Sequence, residues 1–565
     1  MEDRNPKKNN AREYIIISLV VFLCHWLLLL NDGLYFDDIA FYDMLKTGDW
    51  ETCYTLNSMY GNTLITYYIW IFRFVPNKII AFKLTMFISI LLSAILIYRI
   101  CIKSDFIGPV ESMFIAMLSA VYPAELMTFV FSAIPYHLNY LLFLLGSYLA
   151  MISTQIEGKQ SVILRILTFG IFFLSYTTNS LLVFHFGFLL FYYLYTQKQL
   201  ERKVLDRPYL FVFRHWELIL VPFVFWGWKQ TFTPTWGWAL VYENGYNKVI
   251  FDVQNYIKLY TSLVKTIGGQ FINIAFKPTM FVFGFITVGL LYAQFKLKWH
   301  KRLYSHKHFF SIVLVGIILL IAGSFAYVAV GKGFGDGTGI GWSGWDSRNQ
   351  LLLGLPMALI IFASSCLFWG SRSRWNIIFL STLIITFSIF RINLYLTWQA
   401  EAIKHHSTIY NLSNLEGAED IHVFGIIDGY PIAGRNTMLW WSFALKQAFG
   451  DFTRFGFYEA LVQGTDDAAK WYASKGVSGH WYTIQDLRRR ITGFVLESLY
   501  PKQFFPKKKQ ATLIIDRDSP VANKTLVKEY YYHKYFNATK MNEFLSKVTR
   551  LTLDERFPPP QLPTF

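Results

Sequence analysis

The stretch "YIIISLVVFLCHWLLLLNDGLYFDDIAFYD", residues 14–43, joins an unbroken apolar run to a loop that carries four carboxylates and no Lys or Arg. A bilayer core about 30 Å thick takes a helix of about 20 mostly apolar residues. The run Tyr14–Leu30 is of that order. Arg4, Lys7, Lys8 and Arg12 precede it, as basic residues precede a signal peptide, but it ends "LLLLNDG" without a small-residue cleavage site. It therefore reads as a retained first span. Asp32, Asp37, Asp38 and Asp43 then stand at the rim of that span with no basic partner nearby in sequence.

The rest of the chain repeats the pattern of oily blocks. Of 565 residues, 54% are hydrophobic, 19% aromatic and only 16% charged, against about 25% charged in an average soluble domain. The runs are continuous rather than alternating, which excludes a β-barrel. The fold class is an α-helical polytopic membrane protein of about 11 transmembrane helices. They are expected near 14–30, 79–100, 109–125, 136–152, 162–176, 180–196, 216–229, 278–295, 309–330, 351–369 and 376–398. No inverted internal repeat of the kind common in transporters is visible.

The formal charge of +16 does not call for nucleic acid. Basic residues concentrate in alternate loops, with dense clusters at 198–214 and 296–307, as the positive-inside rule requires of cytoplasmic loops. That assignment makes the N-terminus cytoplasmic in a multi-pass cell membrane, and it puts residues 31–43 and the C-terminal region outside. The apolar segment 63–75 is laid in the outer interface, because a crossing there would invert the charge pattern. Residues 250–267 repeat Ile250, Val253, Ile257, Tyr260, Val264 and Ile267 at helical spacing, an amphipathic surface helix.

Residues 1–398 form the transmembrane catalytic domain in this reading, and 399–565 a small extracytoplasmic α+β domain with strand-like runs "IHVFGII" and "ATLIID". Cys24, Cys53, Cys101 and Cys366 show no metal-ligand spacing, and none lies beyond 366.

Among candidate site residues, Asp37 and Asp38 come first. "DDIAFYDMLKTGDW" resembles a short helix opened by an acid, which caps backbone N–H groups and suits the positive end of the dipole. A carboxylate is equally suited to take a proton from an attacking hydroxyl. Neighbouring helical residues point about 100° apart, so one acid serves as base while the other caps, binds acceptor hydroxyls or holds a divalent metal. Asp43 is assigned to a solvated face and Asp32 to loop formation beside Gly33. A second candidate is the loop "GKGFGDGTGIGWSGWDSRNQ", residues 331–350, where Arg348 and, less strongly, Lys332 suit a phosphate. Glu125 near the end of the third span and Arg391 inside the last are further substrate-binding candidates, since ionisable groups at such depth face the protein interior. His137 and His185 are read as buried structural histidines. Glu401, His405 and His406 are weighed as metal ligands against ordinary surface residues. The tryptophans 226, 228, 236 and 238 are read as an interfacial belt or a lining for sugar or lipid.

A first span, an outer loop with "YFDD", a flat outer segment and a second span ending in Arg resemble the GT-C class of glycosyltransferases. Residues 63–103 and the run "LSAVYPAELMTFVFSAIPYHLNYLLFLLGSYLAM", residues 118–151, carry the same resemblance. It implies a polyprenyl-phosphate sugar donor, a glycan or glycolipid acceptor such as a cell-envelope polysaccharide, and an essential acid in the first outer loop, hence Asp37 or Asp38. The rival expectation is a lipid-glycan flippase or other transporter, which would carry ionisable groups within several spans. A third is an inactive relative that binds glycans through its C-terminal region.

Overall fold

The computed structural model describes residues 11–36, 38–59, 63–199, 208–232, 249–275, 282, 284–286, 288–289, 306–335, 346–371, 373–421, 423–428, 438–450, 454–458, 510–516 and 523–554. In chain order the helices begin α1 (Ala11–Leu30), α2 (Asp38–Thr47), α3 (Trp50–Met59), α4 (Thr63–Trp70), α5 (Lys78–Ser104) and α6 (Pro109–Val121). They continue with α7 (Ile134–Ser153), α8 (Lys159–Ser175), α9 (Asn179–Gln199), α10 (Pro208–Arg214), α11 (Trp216–Phe232) and α12 (Val253–Gln270). Then come α13 (His306–Val328), α14 (Gly354–Trp369), α15 (Arg374–Leu412), α16 (Met438–Phe449), α17 (Asn523–Phe536) and α18 (Met541–Ser546). The strands are β1 (Val423–Asp428), β2 (Phe455–Tyr458), β3 (Gln510–Asp516) and β4 (Arg550–Asp554).

Helices cover most of each expected span except 278–295, which lies largely outside the described residues, but they do not all have the length and apolar composition of a membrane crossing. Among the described residues, six helical segments have the length and apolar composition to cross a membrane: Ala11–Leu30, Lys78–Ser104, Asn179–Gln199, His306–Val328, Ser347–Trp369 and Arg374–Leu412. The pair α10 and α11, bent by 63°, makes a seventh if it is one span. The protein is thus a helical membrane protein. Over the third expected span, α6 has only 13 residues. Pro123 restricts Tyr122 to extended backbone, and at Tyr122 the helix ends with φ −54° and ψ 132°.

The chain divides into two compact units, and the division falls inside α15. One contains residues 1–31 and 48–395. Its helices pack side by side, α13 on α14, α7 on α8, and α5 on α6 and α7. Close approach of α13 to its neighbours depends on Gly316 and Gly323. A Cβ at Gly316 would sit 2.7 Å from Ile360 Cγ1, and one at Gly323 3.1 Å from Leu352 Cβ. Small residues at helix interfaces allow this in a bilayer, where packing rather than exclusion of water drives association. Helix α12 opens on Asp252, whose carboxylate caps Gln254 N–H at 2.9 Å. Its apolar residues Val253, Ile257 and Val264 are 71%, 63% and 68% exposed. An apolar face turned outward suits the bilayer interface.

The other unit contains residues 32–47 and 396–565. Its sheet has the order β2-β1-β3-β4, with β1 parallel to β2 and β3, and β4 antiparallel to β3. Parallel neighbours need a crossover, and α16 supplies it between β1 and β2. Ala511, Leu513 and Ile515 are buried at alternate positions of β3, the period-two signature of a covered sheet face. A second core joins Ala400 and Ile403 of α15 to Leu526, Val527 and Tyr530 of α17 and to Val548.

Candidate functional site

The acidic loop 32–47 is built into the second unit. Asp32 is its main anchor. Its Oδ2 accepts from Lys534 Nζ at 2.7 Å and from the Tyr530 hydroxyl, and its Oδ1 accepts from Gln399 Nε2 at 2.9 Å. His406 Nε2 stands 3.8 Å from Oδ1, an ionic rather than a hydrogen-bonding distance. Burial raises the Asp32 pKa, but His406, Lys534 and Gln399 together outweigh it and hold the carboxyl well below the usual range. Asp32 is therefore a structural hub and not merely a loop-former beside Gly33. Asp43 likewise departs from the solvated position expected of it, for its Oδ2 pairs with Lys446 Nζ on α16 at 2.6 Å. Between these anchors, the Tyr35 hydroxyl donates to Trp398 O at 2.6 Å and Trp440 Nε1 donates to Leu34 O at 3.0 Å.

These contacts hold the backbone at Phe36 in the left-handed region, with φ 51°. A residue with a Cβ pays about 1–2 kcal/mol for that conformation. Phe36 is 5% exposed, with its ring 5.7 Å from that of Trp398. Asp38 follows at the first position of α2. It is wholly buried, and its Oδ2 accepts from Tyr35 N–H at 3.3 Å. Asp38 thus reaches back to the loop before α2, rather than forward to the N–H groups of the helix. Asp37 lies outside the described residues.

The other candidates belong to the first unit. The segment 331–335 is held by amide side chains of the 3₁₀ turn Ser347–Leu353. Asn349 Nδ2 donates to Gly333 O at 2.7 Å and Gln350 Nε2 donates to Phe334 O. This sets Lys332 near Arg348, Lys229 and Asp346. Burial, then the charges of Arg348 and Lys229, bring the Lys332 pKa down to about 7, with Asp346 opposing them. Three cations thus share a region with one carboxylate. The sequence had offered Arg348 and Lys332. Lys229, on the distant helix α11, carried no signal of its own.

Glu125 lies beside this turn, because Leu126 N–H donates to Ser347 Oγ at 3.1 Å. The Glu125 carboxylate is 3.0 Å from His137 Nε2 and accepts from Met127 N–H at 2.8 Å. His137 is buried, as expected, but as the partner of Glu125. Arg391 is 5% exposed and does not reach outward. Its Nε donates to Val121 O at 3.1 Å and one Nη to Tyr122 O at 2.7 Å, the carbonyls where α6 ends. Glu125, His137 and Arg391 line one cavity of about 50 Å³.

Trp226 is 58% exposed, and Trp228 packs against Phe173, Phe225 and Phe232. Trp236 and Trp238 lie outside the described residues. Glu401 and His405 meet at 3.0 Å, and among the described residues no group of three or more His, Cys, Asp or Glu is arranged as a metal site. The four cysteines are free and buried.

Compared with protein-family models, with curated proteins and with solved structures, the chain matches none.

Proposed function

We propose that the chain is a membrane glycosyltransferase of the GT-C type, which moves a hexose or pentose from a polyprenyl-phosphate donor to a glycan or glycolipid at the outer face of the membrane. The observation that carries this reading is the construction of the acidic loop. Phe36 is held in a left-handed conformation and Asp38 is wholly buried immediately either side of Asp37. Backbone strain maintained by surrounding contacts recurs at functional sites. Asp38 is occupied in shaping the loop, which leaves Asp37 as the base.

In the proposed reaction Asp37 takes the proton of an acceptor hydroxyl. The hydroxyl oxygen attacks the anomeric carbon, and the bond from that carbon to the phosphate oxygen breaks. The polyprenyl phosphate departs with the bonding electrons. Charge grows on the leaving phosphate, and preplaced cations stabilise it. With such cations in place, a second acid need not protonate the leaving group. Single displacement inverts the anomeric configuration. Mass analysis of surface glycans from cells with and without the protein tests the reading. A specific sugar lost with the protein supports it, and identical glycans refute it.

A specific observation favours the rival reading, a transporter of lipid-linked glycans. Ionisable side chains are buried in several membrane-length helices, among them His25, Lys83, His185 and Arg391. Such groups mark substrate and ion pathways. Glycolipid flux across vesicles, without any new glycosidic bond, is the outcome that selects it.

A further inference from the structure

The cavity that Glu125, His137 and Arg391 share is lined from α1, α5, α6, α7, α14 and α15 and by the segment that follows α6. Its hydrogen bonds show which groups remain for a guest. His25 Nε2 faces Ala120 O at 3.2 Å, and a carbonyl only accepts, so Nε2 carries the proton. His25 Nδ1 then accepts from the Tyr395 hydroxyl at 2.6 Å, and Tyr395 in turn accepts from Thr128 Oγ1 at 2.8 Å. That chain is complete. Glu125 is complete too, between His137 and Met127 N–H.

Two polar atoms on the wall are left over. Arg391 Nη1 and the Tyr140 hydroxyl are buried without a hydrogen-bond partner among the described residues, and the two residues are 5% and 7% exposed. Arg391 also has no carboxylate within ion-pair distance among the described residues. An unpaired guanidinium in a helix interior costs several kcal/mol unless compensated. The spare groups are donors, one of them charged. The space exceeds the 10–15 Å³ or so that one water occupies.

We propose that this cavity binds a small oxyanion of phosphate size, held by Arg391 Nη1 and the Tyr140 hydroxyl. The site is distinct from the Lys332–Arg348 cluster and does not depend on the glycosyltransferase reading. Inorganic phosphate, carboxylates and phosphate headgroups of lipids share the chemistry.

The test is calorimetric titration of the full-length protein in nanodiscs with inorganic phosphate, for wild type, Tyr140→Phe, Arg391→Gln and Arg348→Gln. Tyr140→Phe keeps the ring and removes one donor, so it is the variant expected to fold. It should weaken phosphate by about tenfold, the usual loss for a hydrogen bond to a charged group. Arg391→Gln should abolish the component of binding that Tyr140→Phe weakens, and Arg348→Gln should leave a phosphate site that still responds to Tyr140→Phe. Displacement of phosphate by dihexanoyl phosphatidic acid assigns the site to a lipid headgroup, and failure to displace assigns it to a free anion; either supports the proposal. It is overturned if wild type binds no phosphate, if Tyr140→Phe binds as wild type does, or if binding vanishes with Arg348→Gln.

Discussion

Asp32 and Lys534 meet at 2.7 Å although 502 positions separate them in the chain. The pair ties the loop after the first helix to a helix close to the C-terminus. It accounts for negative charge that had no basic neighbour in sequence.

Asp32→Asn and Lys534→Met should each destabilise the unit that contains them by about 1–3 kcal/mol, the cost of leaving a largely buried polar partner unsatisfied. The double variant should lose less than the sum of the two, because both remove the same interaction. Thermal unfolding in detergent, read by protection of residues 32–47 from proteolysis, measures this. Additive losses would deny the pairing.

The Asp32 carboxyl is held well below its ordinary pKa, because burial, the largest single influence, is outweighed by His406, Lys534 and Gln399 together. A depressed carboxyl contributes stability that is present above its unfolded pKa of about 4 and is lost as pH falls from there toward the folded value. Wild-type protein should therefore loosen below about pH 4. Asp32→Asn should show a flatter acid limb, measured by chemical denaturation from pH 7 down to the acid transition.

The two central acids should separate by phenotype. Asp38 is buried and accepts from Tyr35 N–H, so Asp38→Asn should cost about 1–3 kcal/mol of stability, as weakening a buried hydrogen bond to a charged group does, and retain measurable turnover. Asp37→Asn should leave the unfolding midpoint unchanged and remove turnover. Unfolding midpoints and sugar-transfer rates on the same preparations decide it.

Lys332 should titrate near pH 7, because burial and the charges of Arg348 and Lys229 penalise its ammonium form. Arg348→Gln removes one of those charges, so the titration should move upward, and a bound phosphate should move it upward as well. The pH dependence of lysine acetylation at this position, followed by peptide mass analysis, reports it. An unmoved midpoint in Arg348→Gln would show that the two side chains do not interact.

Helices were legible because a membrane helix announces itself locally, through an apolar run between polar ends. Helix α6 shows the limit. Its apolar composition continues toward Glu125, but Pro123 stops the helix at Val121 and frees the carbonyls that Arg391 uses. Strands β1 and β3 were visible as β-branched runs, whereas their pairing with β2 and β4 depends on contacts between distant segments. The site was legible only by residue type. Arg348 and Lys332 stood out in a glycine-rich loop, but Lys229 and Tyr140 join their clusters through helix packing. Asp43 looked solvated because Lys446, its partner, lies 403 positions away.

The most direct measurement follows polyprenyl phosphate released from polyprenyl-phosphate-linked sugars by purified protein in nanodiscs, with acceptor glycans supplied and wild type compared with Asp37→Asn. The account predicts release coupled one-to-one to a new glycosidic bond of inverted configuration, and its loss in a fully folded Asp37→Asn protein. Equal release by the two proteins, or passage of intact glycolipid across the bilayer with no bond formed, would contradict it.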